Sequence, residues 1–463
     1  MLVIQFDKEN GKPLYLQLYE KIRDDIRGKE FLPNQKLPSK RELAIHLGVS
    51  VKTVENAYHQ LMLEGYIYSK EKSGYYAGEL NSYPETTFVK KPYVRTKVER
   101  DYVVDFCRDI NSRECTATTV WQKLAKEVAF GEPQFVNKVR TFNGIYELRK
   151  AIADHLRRFN GLNVSPDQVV VCSGVDDIFA RILQFLGMDL VYAIEDPGSN
   201  KTRGVFRRFG VKYECVPFGK AGEMVSYLTE KKVNVLSICP SNNFPYGTVT
   251  PIAERIELFR WADKSPDRYI IEDDYNSEYR HTGNPIYPMY ASDWFDQVIY
   301  INEFVKTALP STSVGYMVLP EKLMRRYEEE MGSCLCGVSD LEQRILAKYI
   351  SEGHIERYIN VVRRHNARQR EVFTGKITEG INPSKAELEE ESEGTHFILR
   401  IKTSMTDEDI RREFEKRGVK LYLMSDYCEG ENKALAGTLV LNYSDVSDAQ
   451  FDYFIEKFNE IFE

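Results

Sequence analysis

Residues 298–320, VIYINEFVKTALPSTSVGYMVLP, set one lysine, Lys306, just past a short apolar run and just before a proline-containing loop. A short apolar run bounded by turn residues reads as a buried strand. A lysine delivered by the end of such a strand sits where burial disfavours the ammonium and leaves a reactive amine. The upstream run 269–279, YIIEDDYNSEY, repeats the layout, with carboxylates and Tyr275 at its end. Further apolar runs stand at 168–172 (QVVVC), 190–194 and 233–238, and the first leads through Ser173-Gly174 into a helix-like stretch, 176–186. Strands spaced by helices predict an α/β fold with a mostly parallel sheet. Ligands of such sheets bind beyond the carboxyl ends of the strands. Ser173-Gly174, Glu195-Asp196-Pro197, Asn242-Asn243, Asp273-Asp274-Tyr275 and Lys306 all fall there.

The first 78 residues follow a different pattern. Leu14, Leu18, Ile22 and Ile26 recur every fourth residue and predict a helix over 14–28 that ends at Gly28. Ser39, with Glu42 three residues on, predicts a capping box for a helix over 40–47 closed by Gly48. Ser50 caps a third helix, 51–64, whose inward face is Val54, Ala57, Tyr58, Leu61 and Met62. About three residues separate the second and third helices, which is helix-turn-helix spacing. Beyond Gly65, the runs 66–68 and 75–77 bracket SKEKSG (69–74), a hairpin with lysines at its tip. These features predict a winged helix-turn-helix. Its third helix would present Lys52, Thr53 and Asn56 to base edges or phosphates, while Arg41, Lys70 and Lys72 would hold the DNA backbone.

Composition sets the limits. With 463 residues, 42% of them hydrophobic, the chain exceeds what one core serves, so a small and a large domain are expected. The boundaries predicted are 1–78 for the DNA-binding domain, 79–102 for a linker that mixes prolines, threonines and charges, and 103–463 for the body. Residues 1–78 carry 12 Lys/Arg against 10 Asp/Glu, a balance of +2, which leaves −9 for the rest of a chain whose net charge is −7. A slightly basic head on an acidic body suits local contact with nucleic acid. No apolar run of about 18 residues occurs, and the start is too charged for a signal peptide, so a cytoplasmic protein is expected. The eight cysteines are scattered, which predicts reduced thiols. The lone CxC pair at 334 and 336 has no partner pair, so no metal site is expected.

Residues 13–78, with LPSKRELA, LGVS, TVENAY and the wing glycine Gly74, resemble a GntR-type winged helix; Val51 stands where that family commonly has arginine. The body resembles fold-type-I aminotransferases in NGIYELRKAIADHL, VCSGVDD, EDPG, PSNNFPYG, EDDYNSEYR and the lysine segment. The domain order is similar to that of the MocR/GabR subfamily of GntR regulators. That resemblance implies a fold-type-I body that binds pyridoxal 5'-phosphate through Lys306 and senses a small amine, an amino acid or the cofactor itself. It also implies a homodimer, head-to-tail and possibly swapped, that grips a double-stranded DNA operator through Arg41, Ser50, Lys52, Thr53, Asn56, Lys70, Lys72 and Gly74. In the body it implies Asp273 on the pyridine nitrogen and Tyr275 and Asn243 on the ring hydroxyl. The Ser173-Gly174 N–H groups would meet the phosphate. No catalytic residue is assigned.

Five positions of the body depart from the family pattern. Val305 replaces the serine before the lysine, and Ser313 the arginine expected to pair with the phosphate. Ser199 replaces an aromatic residue after EDPG, Val139 a tyrosine, and Thr438 stands where relatives place an arginine for a substrate carboxylate. Two readings of the body stay open. In one, the cofactor is held with its phosphate moved to backbone groups and to Lys201 or Arg203; in the other, the site senses a different ligand or only dimerises. A working aminotransferase tethered to DNA is the alternative from another class, and the missing arginine argues against it.

Overall fold

In the computed structural model the described residues are 4, 6–7, 11–71, 73–79, 101–108, 110–111, 115, 118–131, 141–217, 219, 221–274, 277–279, 286–308, 312–389, 395–430 and 432–462. The chain divides into two compact units, residues 1–98 and 99–463.

The first unit holds helices α1 (Leu14–Arg27), α2 (Lys40–Leu47) and α3 (Val51–Leu63), followed by an antiparallel hairpin, β1 (Ile67–Lys70) and β2 (Gly74–Ala77). The every-fourth-residue stripe of α1 puts Leu18, Ile22 and Ile26 in the core against Val54, Ala57, Tyr58 and Leu61 of α3. Each buried leucine, isoleucine or valine here contributes about 2 kcal/mol of transfer free energy. The capping box is formed in full: Ser39 Oγ accepts from the Glu42 N–H, and the Glu42 carboxylate accepts from the Ser39 N–H. Gly48 adopts the left-handed conformation that ends α2. Gly28 does not do the same for α1. Its φ is −76°, and the left-handed residue is Lys29, whose turn sends the Glu30 N–H back to the Asp25 carbonyl. Met62, expected inward, is only half-buried because it lies at the rim of the α3 face.

The second unit begins with β3 (Val104–Asp105), α4 (Thr118–Gly131) and α5 (Tyr146–Phe159). Alternating elements follow: β4 (Val169–Cys172), α6 (Val175–Leu186), β5 (Tyr192–Asp196), α7 (Asn200–Phe209), β6 (Tyr213–Pro217), α8 (Ala221–Glu230), β7 (Val235–Ile238), α9 (Ile252–Asp263), β8 (Tyr269–Asp273), β9 (Val298–Glu303) and β10 (Gly315–Val318). These strands form one seven-stranded sheet in the order β4-β10-β9-β8-β7-β5-β6, parallel except for β10, which runs antiparallel to β4 and β9. Runs such as VVVC, VLSI and GYMV are buried along their whole length, as a sheet covered on both faces requires.

The remainder is α10 (Glu321–Met331), α11 (Asp340–Ser351), α12 (His354–Gly380), β11 (Ala386–Glu389), β12 (His396–Ile401), α13 (Asp407–Lys416), β13 (Val419–Lys420), β14 (Tyr422–Leu423), β15 (Thr438–Asn442) and α14 (Asp448–Phe462). A four-stranded antiparallel sheet, β11-β12-β15-β14, packs on these helices over a phenylalanine-rich core that includes Phe373, Phe414, Phe451 and Phe454. This part returns to the large sheet. The Gly198 N–H donates to the Tyr427 carbonyl, the Glu429 N–H donates to Asp196 Oδ1 at 3.0 Å, and the Phe244 and Tyr427 rings meet edge to face at 4.8 Å.

Candidate functional site

In the first unit, the predicted DNA-contacting residues sit on the start of α3, on α2 and on the hairpin. Ser50 caps α3: its hydroxyl accepts from the Thr53 N–H at 3.0 Å and pairs with Thr53 Oγ1 at 2.8 Å. Those two hydroxyls therefore organise the helix start. Arg41, Lys52 and Asn56 are exposed. Lys52 Nζ pairs with Glu55 at 3.0 Å, and Lys40 reaches the same carboxylate at 2.9 Å; the two cations hold Glu55 down at about 2. Lys70 lies over the Tyr76 ring at 4.7 Å and the Tyr68 ring at 5.7 Å, which fixes its ammonium on the hairpin. Gly74 opens β2 with φ +112°, a conformation that suits glycine, and a side chain there would press on Lys36. Lys72 lies outside the described residues.

In the second unit, the sheet register brings the predicted body residues to one edge. Lys306 follows β9 in a turn and is 7% exposed. Its carbonyl accepts from Asn111 Nδ2 at 2.6 Å and from the Tyr279 hydroxyl at 2.7 Å. Both donors are buried, so the turn that carries the lysine is fixed from outside its own strand. The three acids at the end of the neighbouring β8 have separate roles. Glu272 accepts the Met289 and Tyr290 N–H groups at 2.7 and 2.8 Å. Asp274 accepts from the Tyr300 hydroxyl at 2.6 Å and Asn160 Nδ2 at 3.1 Å. Asp273, on the other side of the strand, accepts no hydrogen bond from the described residues. Burial first, then the carboxylates of Glu303 and Asp274, push it up to about 8, while Lys201 pulls the other way. Such a carboxyl gains from a cationic N–H partner.

Asn243 follows β7. Its N–H donates to the Thr248 carbonyl at 2.8 Å, while its side-chain amide, 1% exposed, makes no well-formed hydrogen bond with the described residues. Glu195 lies beside that amide, and burial pushes its carboxyl up to about 7. Tyr275 lies outside the described residues, as does Val139.

The Ser173-Gly174 turn also comes to this edge, with Gly174 capping α6 at φ +81°. Of the two N–H groups expected to wait for a phosphate, that of Ser173 is engaged by the chain itself, and so is the N–H of Val175, one residue beyond Gly174. The Ser173 N–H donates to Asp177 Oδ2 at 2.9 Å, and the Val175 N–H donates to Glu303 Oε1. Ser313, at the expected arginine position, is exposed. Arg203, a candidate replacement, is tied to Asp196, Gly198 and Asn200. Ser199, at the expected aromatic position, caps α7 by accepting from the Thr202 N–H. Thr438 is buried within β15 at 1% exposure, opposite Arg400, which pairs with Glu389.

Three residues went unread in the sequence. Glu303 reaches across 128 residues to Val175, and Asn111 across 195 to Lys306, pairings that leave no local pattern. Tyr279 lies within a run read for its acids, and the apolar spacing there gave no sign of its hydroxyl's partner.

Two family models match the chain: "Bacterial regulatory proteins, gntR family" over residues 14–76, and "Aminotransferase class I and II" over residues 104–277. The protein is a DNA-binding transcription regulator with a GntR helix-turn-helix domain and an aminotransferase-like domain. Its relatives include HTH-type transcriptional regulators, MocR and PdxR among them. It is 28% identical to the uncharacterized HTH-type transcriptional regulator YdeL of Bacillus subtilis (strain 168), over 96% of each chain. It is 28% identical to the probable rhizopine catabolism regulatory protein MocR of Rhizobium meliloti, over 92% of this chain and 89% of that one. The HTH-type pyridoxine biosynthesis transcriptional regulator PdxR of Corynebacterium glutamicum is also 28% identical, over 83% and 82%. Among solved structures, an archaeal alanine:glyoxylate aminotransferase shares the body's fold with a TM-score of 0.69 at 21% identity, covering 79% of this chain and 91% of its own. The Pyrococcus horikoshii kynurenine aminotransferase does so with a TM-score of 0.68 at 19% identity, covering 79% and 92%.

Proposed function

We propose that the body is an effector-sensing domain that holds a pyridoxal-type aldehyde at Lys306 and thereby controls how the winged helix engages DNA. The observation that carries this reading is the trio at adjacent strand ends: the buried Lys306, the Asp273 carboxyl, which accepts no hydrogen bond from the described residues, and the buried Asn243 amide beside Glu195. Such an aldehyde supplies a carbon that condenses with an amine, releasing one water, and a pyridine nitrogen that a carboxylate keeps protonated. The protein's own residues account for the ring end. Asp273 offers the carboxyl for a pyridinium N–H, and Asn243 offers a buried side-chain amide. The phosphate end does not fit: the α6 turn is already engaged by Asp177 and Glu303. Tyr275 remains a candidate for the ring hydroxyl on the resemblance alone.

Two further points support a sensor over an enzyme. The relatives that match over three quarters of the chain or more carry the names of regulators, though one matched over 57% is an aminotransferase, and Thr438, buried in β15, brings no cation for a substrate carboxylate. The protein would bind as a homodimer, since helix-turn-helix proteins read repeated half-sites. On the DNA, Arg41, Lys52, Asn56 and Lys70 supply exposed contacts, while Ser50 and Thr53 hold the start of α3.

The test is the visible absorbance of the purified full chain with added pyridoxal or pyridoxal 5'-phosphate, repeated with Lys306→Ala and after borohydride treatment. A band that needs Lys306 and becomes fixed by borohydride is the expected result. Equal spectra for wild type and Lys306→Ala would overturn the reading. Sustained amino-group transfer to a keto acid would favour the tethered enzyme instead.

A further inference from the structure

We infer that Glu303 is an internal anion seated where a ligand's phosphate would sit, so that the body takes an unphosphorylated pyridoxal-type ligand in preference to its phosphate ester. This rests on the reading that Lys306 holds such a ligand.

The seat is built around the Glu303 side chain. Its carboxylate accepts the Val175 N–H at the start of α6. A Cβ placed on Gly174 would meet that same Oε1 at 3.7 Å and no other heavy atom within 4 Å, so the space above the glycine belongs to Glu303. The stem of the side chain passes over Gly315, where a Cβ would meet Glu303 Cγ at 3.4 Å, the Asn302 carbonyl at 3.2 Å and Ile178 Cδ1 at 2.9 Å. Glu303 is also the last residue of β9, three positions before Lys306, so the carboxylate and the amine leave the same strand end.

A helix N-terminus favours one anion, and this one already has three carboxylates. Asp176 and Asp177 occupy the first turn of α6 beside Glu303. Three arginines here are committed: Arg181 pairs with Asp177 at 3.0 Å, Arg208 with Asp176 at 3.3 Å, and Arg203 with Asp196, while Lys201 acts on Asp273. A phosphate dianion entering here would displace Glu303 from Val175 and face Asp177 without an arginine at position 313. Like charges at such range disfavour it, whereas a neutral hydroxymethyl group in the same place meets no such opposition.

The experiment compares dissociation constants of pyridoxal and pyridoxal 5'-phosphate for the full-length wild type, Glu303→Gln and Glu303→Asp, each read by the Lys306-dependent absorbance band. Glutamine keeps an acceptor for the Val175 N–H and removes the charge. The ratio of the two constants should move toward the phosphate ester by about tenfold or more in Glu303→Gln, the effect of losing one like charge at a few ångströms. Glu303→Asp, which withdraws the charge by one methylene, should move it less. Inorganic phosphate should compete with the ester in Glu303→Gln. A wild type that prefers the ester, with a ratio unchanged in both variants, would overturn the inference and leave the Lys306 reading standing. The absence of a band with either aldehyde in all three proteins would overturn the Lys306 reading, and the inference with it.

Discussion

Replacing Asn111 by alanine tests whether the lysine-bearing turn is held from outside its strand. Asn111, 3% exposed, points its amide nitrogen at three acceptors: the Lys306 carbonyl at 2.6 Å, the Tyr358 hydroxyl at 3.2 Å and the Tyr279 hydroxyl at 3.3 Å. Two N–H hydrogens serve these three, and the Tyr279 hydroxyl itself donates to the Lys306 carbonyl at 2.7 Å. Losing a buried hydrogen bond and leaving a carbonyl half-served costs about 1–3 kcal/mol. For Asn111→Ala the upper part of that range, about 2–3 kcal/mol, is expected, because the substitution also leaves a void among fully buried tyrosines. Tyr279→Phe keeps the Asn111 contact and should cost about 1 kcal/mol. The double variant should cost less than the sum of the two, since both donors serve one carbonyl. Urea unfolding read by tryptophan fluorescence reports on the body alone, because Trp121, Trp261 and Trp294 all lie there. A loss below about 0.5 kcal/mol for Asn111→Ala, or strict additivity, would refute the reasoning.

Three other outcomes are expected. Ser39→Ala removes one half of the α2 capping box and should destabilise the first unit by about 1 kcal/mol, seen as faster hydrogen exchange in α2; unchanged exchange would contradict it. Lys52→Ala should weaken operator binding and flatten its salt dependence, whereas Glu55→Gln, which removes the acceptor that Lys40 and Lys52 share, should strengthen binding in a gel-shift series across salt. The third concerns pH. Burial pushes Glu195 and Glu278 up to about 7, and Glu272 and Asp273 up to about 8, against ordinary values of 4.5 for glutamate and 3.8 for aspartate. Over that window the folded body keeps protons that the unfolded chain has released, so stability falls as pH rises and levels off above the folded values. The body's thermal midpoint should therefore drop between about pH 6 and about pH 9, and Asp273→Asn should make the drop shallower. A midpoint that rises over the same range would contradict this.

Much of the fold was legible because its signals are local. The fourfold stripe of α1 and the Ser39–Glu42 box each lie within one helix, and VVVC and VLSI announce buried strands by unbroken apolar character. The edge strand β6, YECVP, mixes charge into its run, and the four residues of β10 sit inside what reads as the loop after Lys306; neither was foreseen. Lys29 takes the left-handed turn that Gly28 seemed made for, because hydrogen bonds from residues 28–30 back into α1 fix the turn one residue later. The site shows the same division. Lys306, Asp273 and Asn243 were legible as residues beyond strand ends. That Asp274 and Glu272 are consumed by Tyr300, Asn160 and two backbone N–H groups depends on distant partners. So does the seat of Glu303, whose partner lies on a helix that begins well over a hundred residues earlier.

Coupling between the two units decides the central claim. A ligand controls DNA binding only if it binds the competent and incompetent arrangements unequally. The most direct measurement is operator affinity of the full-length protein, at fixed salt, with and without pyridoxal and a small amine, in wild type and Lys306→Ala. The account predicts a shift in wild type, of the order of fivefold or more, that Lys306→Ala abolishes while its basal affinity stays intact. Equal affinities in every condition, alongside a Lys306-dependent absorbance band, would mean that the body binds its ligand without instructing the DNA-binding unit, and would contradict it.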